Sequence, residues 1–253
     1  MTRRRDFHIR LRFWNCRVSS GLEGVRQIVN AFPDLGLIPA QHIEGRDVPL
    51  PPHSVDARLT QAIRKWPNWS REEHLGRYEY ASGPLVLIVK SFEALITSAE
   101  FFLVTPDYLR LSIGGLVDFE FKDQSALVAP FAERLREVAL DLWTILSPDY
   151  GYVDETSAMH TKSDKHVMRL AFPQVLGWVD IFGRAYIEKY GRELLMGLPG
   201  YRVKEIEGQG IMHQLTPSIL KQDPSEGPAL RKEVEMYLRE HGIKARCKGP
   251  YQL

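Results

Sequence analysis

The start of the chain alternates between apolar and polar side chains. From Phe7 to Phe13 every second residue is apolar, and His8, Arg10 and Arg12 lie between them. This period of two predicts a β-strand with one apolar face and one basic face.

Helical spacing follows in two segments. After a capping box at Ser20–Glu23, apolar residues recur every three or four positions until Pro33. A second helix is predicted from Ser125 onwards, and Pro130 favours a regular start close to Ala129 because proline is tolerated in the first turn. The apolar stripe of this helix consists of Leu127, Phe131, Leu135, Val138, Leu142 and Ile145.

Strands are predicted in the middle of the chain and a hairpin near its end. Leu85–Ser91 is predicted to be a buried strand, and Glu93–Leu103 and Tyr108–Ile113 are predicted to be further strands of a meander or hairpin. The remaining predicted elements are a strand at Tyr150–Val153, a hairpin of Tyr201–Glu207 and Gly210–Leu215, a helix with Leu230, Val234, Tyr237 and Leu238 on its inner face that ends at Gly242, and an edge strand at Ile243–Cys247.

Residues 37–77 form an irregular insertion in this pattern. The segment is rich in proline, histidine and tryptophan, and only Val55–Trp66 has helical spacing. Structureless loops of this length are uncommon in compact domains. The insertion is therefore either a functional surface or a region that contains elements the pattern does not reveal.

The order of these elements predicts an α+β fold, with a mostly antiparallel sheet and helices packed on one face. Strands and helices do not alternate regularly, which argues against a doubly wound parallel sheet. We expect residues 1–253 to form a single domain. Each half contains a strand, a helix and a hairpin, so two similar lobes, 1–147 and 148–253, are an alternative.

The composition is typical of a globular protein with a continuous core, since 44% of the 253 residues are hydrophobic. No apolar run reaches the roughly 20 residues that cross a bilayer, and no signal-type segment follows Met1, so we expect a cytoplasmic protein without a membrane partner. The net charge of +1 includes no domain-wide basic excess, which argues against a nucleic-acid partner. Cys16 and Cys247 have no ligand spacing around them, so we expect neither a disulfide framework nor a zinc site.

No motif of a familiar catalytic class occurs in the sequence. The chain has no GxSxG elbow, no P-loop and no GxGxxG after a predicted strand. We therefore predict no catalytic residue, no cofactor and no metal. His160, Asp164 and His166 have side chains that can bind divalent metals, but the lysines between them favour a solvated loop.

Gly177–Gly191 combines aromatic residues with glycines. Four aromatic residues recur every four positions and would lie on one face of a helix if Gly183 does not break it; they are Trp178, Phe182, Tyr186 and Tyr190. Such a face is typical of a buried core, and the alternative is an exposed hot spot for a protein partner. Asp180–Arg184 and Glu188–Arg192 have the spacing of surface ion pairs on the same helix.

In this stretch the chain resembles a family of bacterial immunity proteins, the immunity protein 52 or type VI immunity-like group. The shared pattern is an aromatic-led start at Trp178, the segment Tyr186–Gly191, the turn Leu198–Gly200 and a glycine-led strand at Gly210. Tyr150-Gly151-Tyr152 also fits. The chain departs from the pattern at Val179, where relatives tend to have asparagine after the tryptophan.

The resemblance implies a non-enzymatic α+β protein that binds and neutralises a cognate secreted toxin, in some relatives a nuclease. Exposed connections commonly carry specificity, so the insertion and the loop Asp154–His166 are the expected contact regions. The candidate partner-binding residues are Trp66, Trp69, Asp154, Glu155, His160, Asp164, Trp178 and Asp180. The alternatives are an enzyme that uses His160, His166 and His213, or another cytoplasmic binding protein.

Overall fold

The computed structural model describes residues 7–16, 22–35, 38–43, 46–49, 51, 53–54, 57, 85–91, 95–105, 108–117, 125–155, 169–173, 176–207, 210–221 and 226–243. Ten of its strands form one sheet, in which every pairing is antiparallel. The strands are β1 (Phe7–Cys16), β2 (Ile38–Ile43), β3 (Arg46–Pro49), β4 (Leu85–Ser91), β5 (Leu95–Thr105), β6 (Tyr108–Val117), β7 (Tyr150–Glu155), β8 (Val179–Phe182), β9 (Arg202–Ile206) and β10 (Gly210–Gln214). Their order across the sheet is β3-β2-β4-β5-β6-β1-β7-β8-β10-β9.

The helices are α1 (Leu22–Ala31), α2 (Ser125–Leu146), α3 (Arg184–Tyr190), α4 (Arg192–Met196) and α5 (Gly227–Glu240), with a short 3-10 helix at Ile219–Lys221. The predicted α+β class with a mostly antiparallel sheet is thus confirmed. None of the described helices is long and apolar enough to span a membrane.

Helices pack on both faces of the central strands, whereas one face was expected. Neighbouring residues of a strand point to opposite faces, and on β1 Phe13 belongs to one apolar cluster and Trp14 to another. The cluster around Phe13 includes buried residues of α1 and α2. The cluster around Trp14 includes Tyr186 of α3, Leu195 of α4 and Val234 of α5. The central sheet is therefore a layer between two cores.

Helix α2 contains most of the predicted stripe. Phe131, Leu135, Val138 and Leu142 are buried. Ile145 is 40% exposed, and Trp143 and Leu146 are buried near the end of the helix instead. The helix begins at Ser125 and not close to Ala129. Pro130 lies inside the helix on its exposed side and does not set the start of the helix.

The stretch with the four aromatic residues is not one helix. Trp178 and Phe182 lie just before and at the end of β8, and α3 begins only after Gly183. The Gly183 N–H donates to the carbonyl of Asp149 at 2.8 Å. A Cβ atom at this position would collide with the carbonyl oxygens of Pro148 and Asp149, so glycine permits the strand to approach the chain before β7 and turn into a helix.

The two halves of the chain share one sheet, because β1 pairs with β7 over Ile9–Trp14. The expected irregular insertion contains strands at its beginning, since β2 pairs with both β3 and β4. The predicted hairpin is present as β9 and β10, and Gly242 adopts a φ of 76° after α5. Most of the predicted edge strand Ile243–Cys247 lies outside the described residues, as does Cys247, whereas Cys16 is buried.

Candidate partner-binding surface

Four of the eight candidate contact residues fall within the described part of the chain, on or beside β7 and β8. Asp154, Trp178 and Asp180 are buried, and Glu155 is partly buried. Trp66, Trp69, His160 and Asp164 lie outside the described residues. The prediction that Asp154, Trp178 and Asp180 contact a partner is wrong, because these side chains have almost no accessible surface.

Asp180 is occupied by hydrogen bonds within the core. Its side chain accepts hydrogen bonds from the Tyr150 hydroxyl and, at 2.8 Å, from the Gly177 backbone N–H. Burial raises the pKa of Tyr150 well above its ordinary value, and the neighbouring Asp180 raises it further. The predicted surface ion pair between Asp180 and Arg184 is therefore absent, since Asp180 lies on a buried strand.

Trp178 connects three elements from inside the protein. Its indole N–H donates to the Thr216 carbonyl at 2.9 Å, and its backbone N–H donates to an Asp154 carboxylate oxygen at 3.3 Å. A buried polar group that finds such partners avoids a desolvation penalty of about 1–3 kcal/mol. Trp178 and Asp154 thus stabilise the connection between β7, β8 and the chain after β10.

A row of polar residues crosses four adjacent strands on the same face of the sheet. Arg12 is opposite Tyr152, Tyr152 is opposite Asp180, and Asp180 is opposite His213. All four side chains are at least 97% buried. The guanidinium carbon of Arg12 lies 5.6 Å from the centroid of the Trp14 ring. Arg12 therefore does not lie on an exposed basic face. The alternation of apolar and basic residues in the sequence predicts the strand correctly, but not the burial of Arg12.

His213 is the one member of the proposed histidine set that lies in the described chain. It is fully buried, and its Nε2 is 2.7 Å from the Pro199 carbonyl oxygen, so Nε2 carries the proton and donates it. His160 and His166 lie outside the described residues. Within the described ranges, no three His, Cys, Asp or Glu side chains are grouped so that they could hold a metal ion.

The aromatic residues of Gly177–Gly191 form part of the core beneath α3. Tyr186 lies 5.6 Å from Tyr150 and 5.7 Å from Phe182 between ring centroids. Trp178, Phe182 and Tyr186 are fully buried. The partly buried Tyr190 donates its hydroxyl proton to the Leu170 carbonyl at 2.7 Å. Of the two interpretations of this motif, the buried core is confirmed.

Ion pairs on the surface differ from those predicted. Arg184 pairs with Glu188 at 2.6 Å, and Arg192 pairs with Glu205 of β9 at 2.5 Å. The first pair lies within α3 and the second connects α4 to the hairpin. Arg184, Ile187, Glu188 and Arg192 line a shallow depression with a volume of about 230 Å³.

The outer side of β9 is the candidate surface for a protein partner in the described part of the chain. This strand is last in the sheet order, and only β10 pairs with it among the described strands. Tyr201, immediately before β9, is 59% exposed. Arg202 is exposed and Lys204 partly buried. Burial lowers the pKa of Lys204, as do the nearby cations Arg202 and Arg136.

This surface was not among the candidate sites from sequence. The hairpin pattern locates β9, but the sequence does not reveal which of its sides a further strand covers. The sequence pattern places Tyr201 only at the start of a predicted strand. Its position between the Leu198–Gly200 turn and an alternating segment is the only signal that could have marked it.

Comparisons of the chain with protein-family models, with curated proteins and with solved structures found no match.

Proposed function

We propose that this chain is an immunity protein that binds and neutralises a cognate secreted bacterial toxin, without chemical change to the toxin. Two lines of support converge on it. The pattern around Trp178, Tyr186–Gly191 and Gly210 resembles the immunity protein 52 or type VI immunity-like group, and the α+β fold agrees with what that resemblance implies. In this proposal the protein acts in the cytoplasm, where it meets the toxin.

The observation that carries the proposal is the outer side of β9, which no other described strand covers, with Tyr201 at its start. Exposed tyrosine is enriched among residues that dominate protein interfaces, and an unpaired strand edge can bind another chain through its backbone. Arg202 and the Arg192–Glu205 pair supply a polar rim around this edge. A partner that covers it at a typical interface buries on the order of 800 Å² on each side.

The geometry does not favour the enzyme alternative with His160, His166 and His213. His213 is fully buried and donates to the Pro199 carbonyl. General acid–base chemistry requires a side chain within hydrogen-bond reach of a substrate. In its described position His213 holds the turn at Pro199 against β10.

The proposal predicts that a secreted toxin is encoded beside the gene for this chain, and that toxin provides the test. We expect co-expression to restore growth to cells that produce the toxin, and size-exclusion chromatography of the mixed proteins to give a stable complex. Failure of both experiments contradicts the proposed function. Tyr201→Ala should weaken the complex by about tenfold or more, whereas Met236→Ala, a control at an exposed position of α5, should leave the affinity unchanged.

A further inference from the structure

The direction of the backbone groups in β9 follows from hydrogen bonds in the neighbouring strands. The Leu215 N–H donates to the Trp178 carbonyl at 2.9 Å. In an antiparallel strand the N–H and C=O of one residue face the same neighbour, and this direction alternates from residue to residue. The Gln214 carbonyl shares a peptide group with the Leu215 N–H and points the opposite way, towards β9. Within β10, Gln214 and Met212 therefore face β9 and His213 faces β8. The Leu215 carbonyl lies beyond the strand and accepts from the Tyr201 N–H at 3.1 Å.

The pairing register between β10 and β9 determines which backbone groups of β9 face β10 and which face outward. Lys204 is opposite Met212, and Arg202 is opposite Gln214. The backbone groups of Lys204 and Arg202 thus face β10, and those of Val203 and Glu205 face away from the sheet. The outer side of β9 presents two N–H donors and two C=O acceptors at the spacing that a further strand requires.

Arg202 and Lys204 make one face of this edge basic, whereas the carboxylates Glu205 and Glu207 lie on the other face. Glu205 is paired with Arg192, and Arg136 of α2 is paired with Glu133 at 2.8 Å. Across the described residues, no carboxylate lies within ion-pair distance of Arg202 or Lys204. The depressed pKa of Lys204 has burial as its main cause, followed by repulsion from Arg202 and Arg136. An anionic group brought next to these cations reduces this repulsion.

We infer that the outer edge of β9 binds an extended acidic segment of a protein partner, which adds to the sheet as a further strand beside Val203 and Glu205. Backbone hydrogen bonds supply the register, and carboxylates of the segment contact Arg202 and Lys204. The inference rests on the proposed function only in that the partner is a protein.

Charge argues against two other occupants of the edge. In a second copy paired antiparallel through its own β9, the register places Arg202 opposite Lys204, Lys204 opposite Lys204 or Glu205 opposite Glu205. Like charges that face each other destabilise a strand pair. The C-terminal segment of the chain contains Lys244, Arg246 and Lys248 and is basic as well. An acidic segment of another protein is the occupant that the charge favours.

Hydrogen–deuterium exchange of the free full-length protein provides the first test. We expect the amides of Val203 and Glu205 to exchange rapidly and the amide of Lys204 to be protected by β10. Protection of Val203 and Glu205 in the free protein, or a dimer in sedimentation analysis, means that the chain or a second copy already covers the edge. Either result overturns the inference.

Peptide binding provides the second test. The probe is a fluorescein-labelled peptide of alternating threonine and glutamate, and its partner is the corresponding threonine–lysine peptide. We expect only the acidic peptide to bind at low salt and to slow the exchange of Val203 and Glu205. Equal binding of both peptides, or binding of neither, overturns the inference.

Matched variants separate backbone from charge. Glu205→Pro removes the outward N–H and should reduce acidic-peptide affinity by about tenfold relative to Glu205→Ala, which removes only the ion pair with Arg192. Arg202→Glu combined with Lys204→Glu should reduce affinity by at least about tenfold, and Lys232→Glu on α5 should not. If Glu205→Pro binds as Glu205→Ala does, backbone pairing at this edge is refuted.

The toxin experiment distinguishes this inference from the proposed function. If the toxin is neutralised but the acidic peptide does not bind, only the inference fails, since the toxin then binds elsewhere. If the peptide binds at β9 and the toxin is not neutralised, only the proposed function fails.

Discussion

Replacement of Tyr150 by phenylalanine tests the hydrogen bond between β7 and β8 in the core. The ring of Tyr150 packs at centroid distances of 5.4 Å from Trp14 and 5.8 Å from Phe182, and these contacts persist in Tyr150→Phe. The variant loses only the hydroxyl that donates to Asp180. Without this donor, the buried carboxyl group of Asp180 loses a hydrogen bond. The free energy of unfolding should therefore decrease by about 1.5–3 kcal/mol.

Equilibrium urea unfolding and thermal unfolding measure this loss. For a chain of this size, 1 kcal/mol corresponds to a change of roughly 2–4 °C in Tm, so Tyr150→Phe should melt about 3–12 °C below the wild type. Tyr201→Phe is the control, because Tyr201 is 59% exposed and its hydroxyl should contribute less than about 0.5 kcal/mol. If both variants unfold within about 0.5 kcal/mol of the wild type, the hydrogen bond does not stabilise the fold as argued.

A double-mutant cycle assigns the effect to the pair. In Asp180→Asn the amide oxygen can accept from the Tyr150 hydroxyl or from the Gly177 N–H, while the NH₂ group faces the other donor. This variant should therefore be destabilised at least as much as Tyr150→Phe. Because the two residues are in contact, the double variant should lose less than the sum of the single losses, by about 0.5–3 kcal/mol. Additive losses contradict a direct interaction.

Three further predictions concern alkaline stability, a glycine and a surface ion pair. Burial raises the pKa of Tyr150 and Tyr186 in the folded chain. Above about pH 10 the unfolded state therefore loses these protons before the folded state does, and the free energy of unfolding should fall by up to about 1.4 kcal/mol per pH unit for each tyrosine. A free energy of unfolding in urea that stays constant between about pH 9 and 11 contradicts this prediction. Gly183→Ala places a methyl group against two carbonyl oxygens and should cost more than about 3 kcal/mol, which a wild-type Tm would disprove. Arg192→Ala removes a pair whose side chains are 54% and 51% exposed and should change the unfolding free energy by less than about 1 kcal/mol; a larger loss in urea unfolding would mean that the pair is structurally required.

Much of the fold could be predicted because several elements have one apolar face. The stripe of α2 with Phe131 and Leu142 shows this. The alternation in the sequence also predicts β1, although both faces of that strand lie in a core. The strand β8 could not be recognised in the same way. Every residue of Val179–Phe182 is buried, so no alternation marks it. The four-residue spacing of Trp178, Phe182 and Tyr186 spans a strand and a helix and only resembles one helical face.

The contact residues were harder to predict, because polarity does not imply exposure. Asp154 and Asp180 are buried and accept hydrogen bonds from backbone N–H groups. Those donors are contributed by Gly177 and Trp178, and the Tyr150 hydroxyl is contributed by another strand. Nothing in the local sequence of Asp180 indicates that Tyr150 lies beside it. The position of β9 at the sheet edge likewise depends on strand order, which local patterns do not determine.

The buried network and the candidate binding edge are coupled through β10. Every residue of β10 is buried, with β8 on one side and β9 on the other, so the strand that positions β9 has little freedom to move. A rigid edge loses little conformational entropy when a partner binds, so the free-energy cost of binding is smaller. Tyr150→Phe should consequently lower stability without lowering affinity at temperatures where the chain remains folded, whereas the double change of Arg202 and Lys204 should do the reverse. A core variant that is fully folded yet binds the acidic peptide about tenfold more weakly would mean that β9 is not held independently of that hydrogen bond.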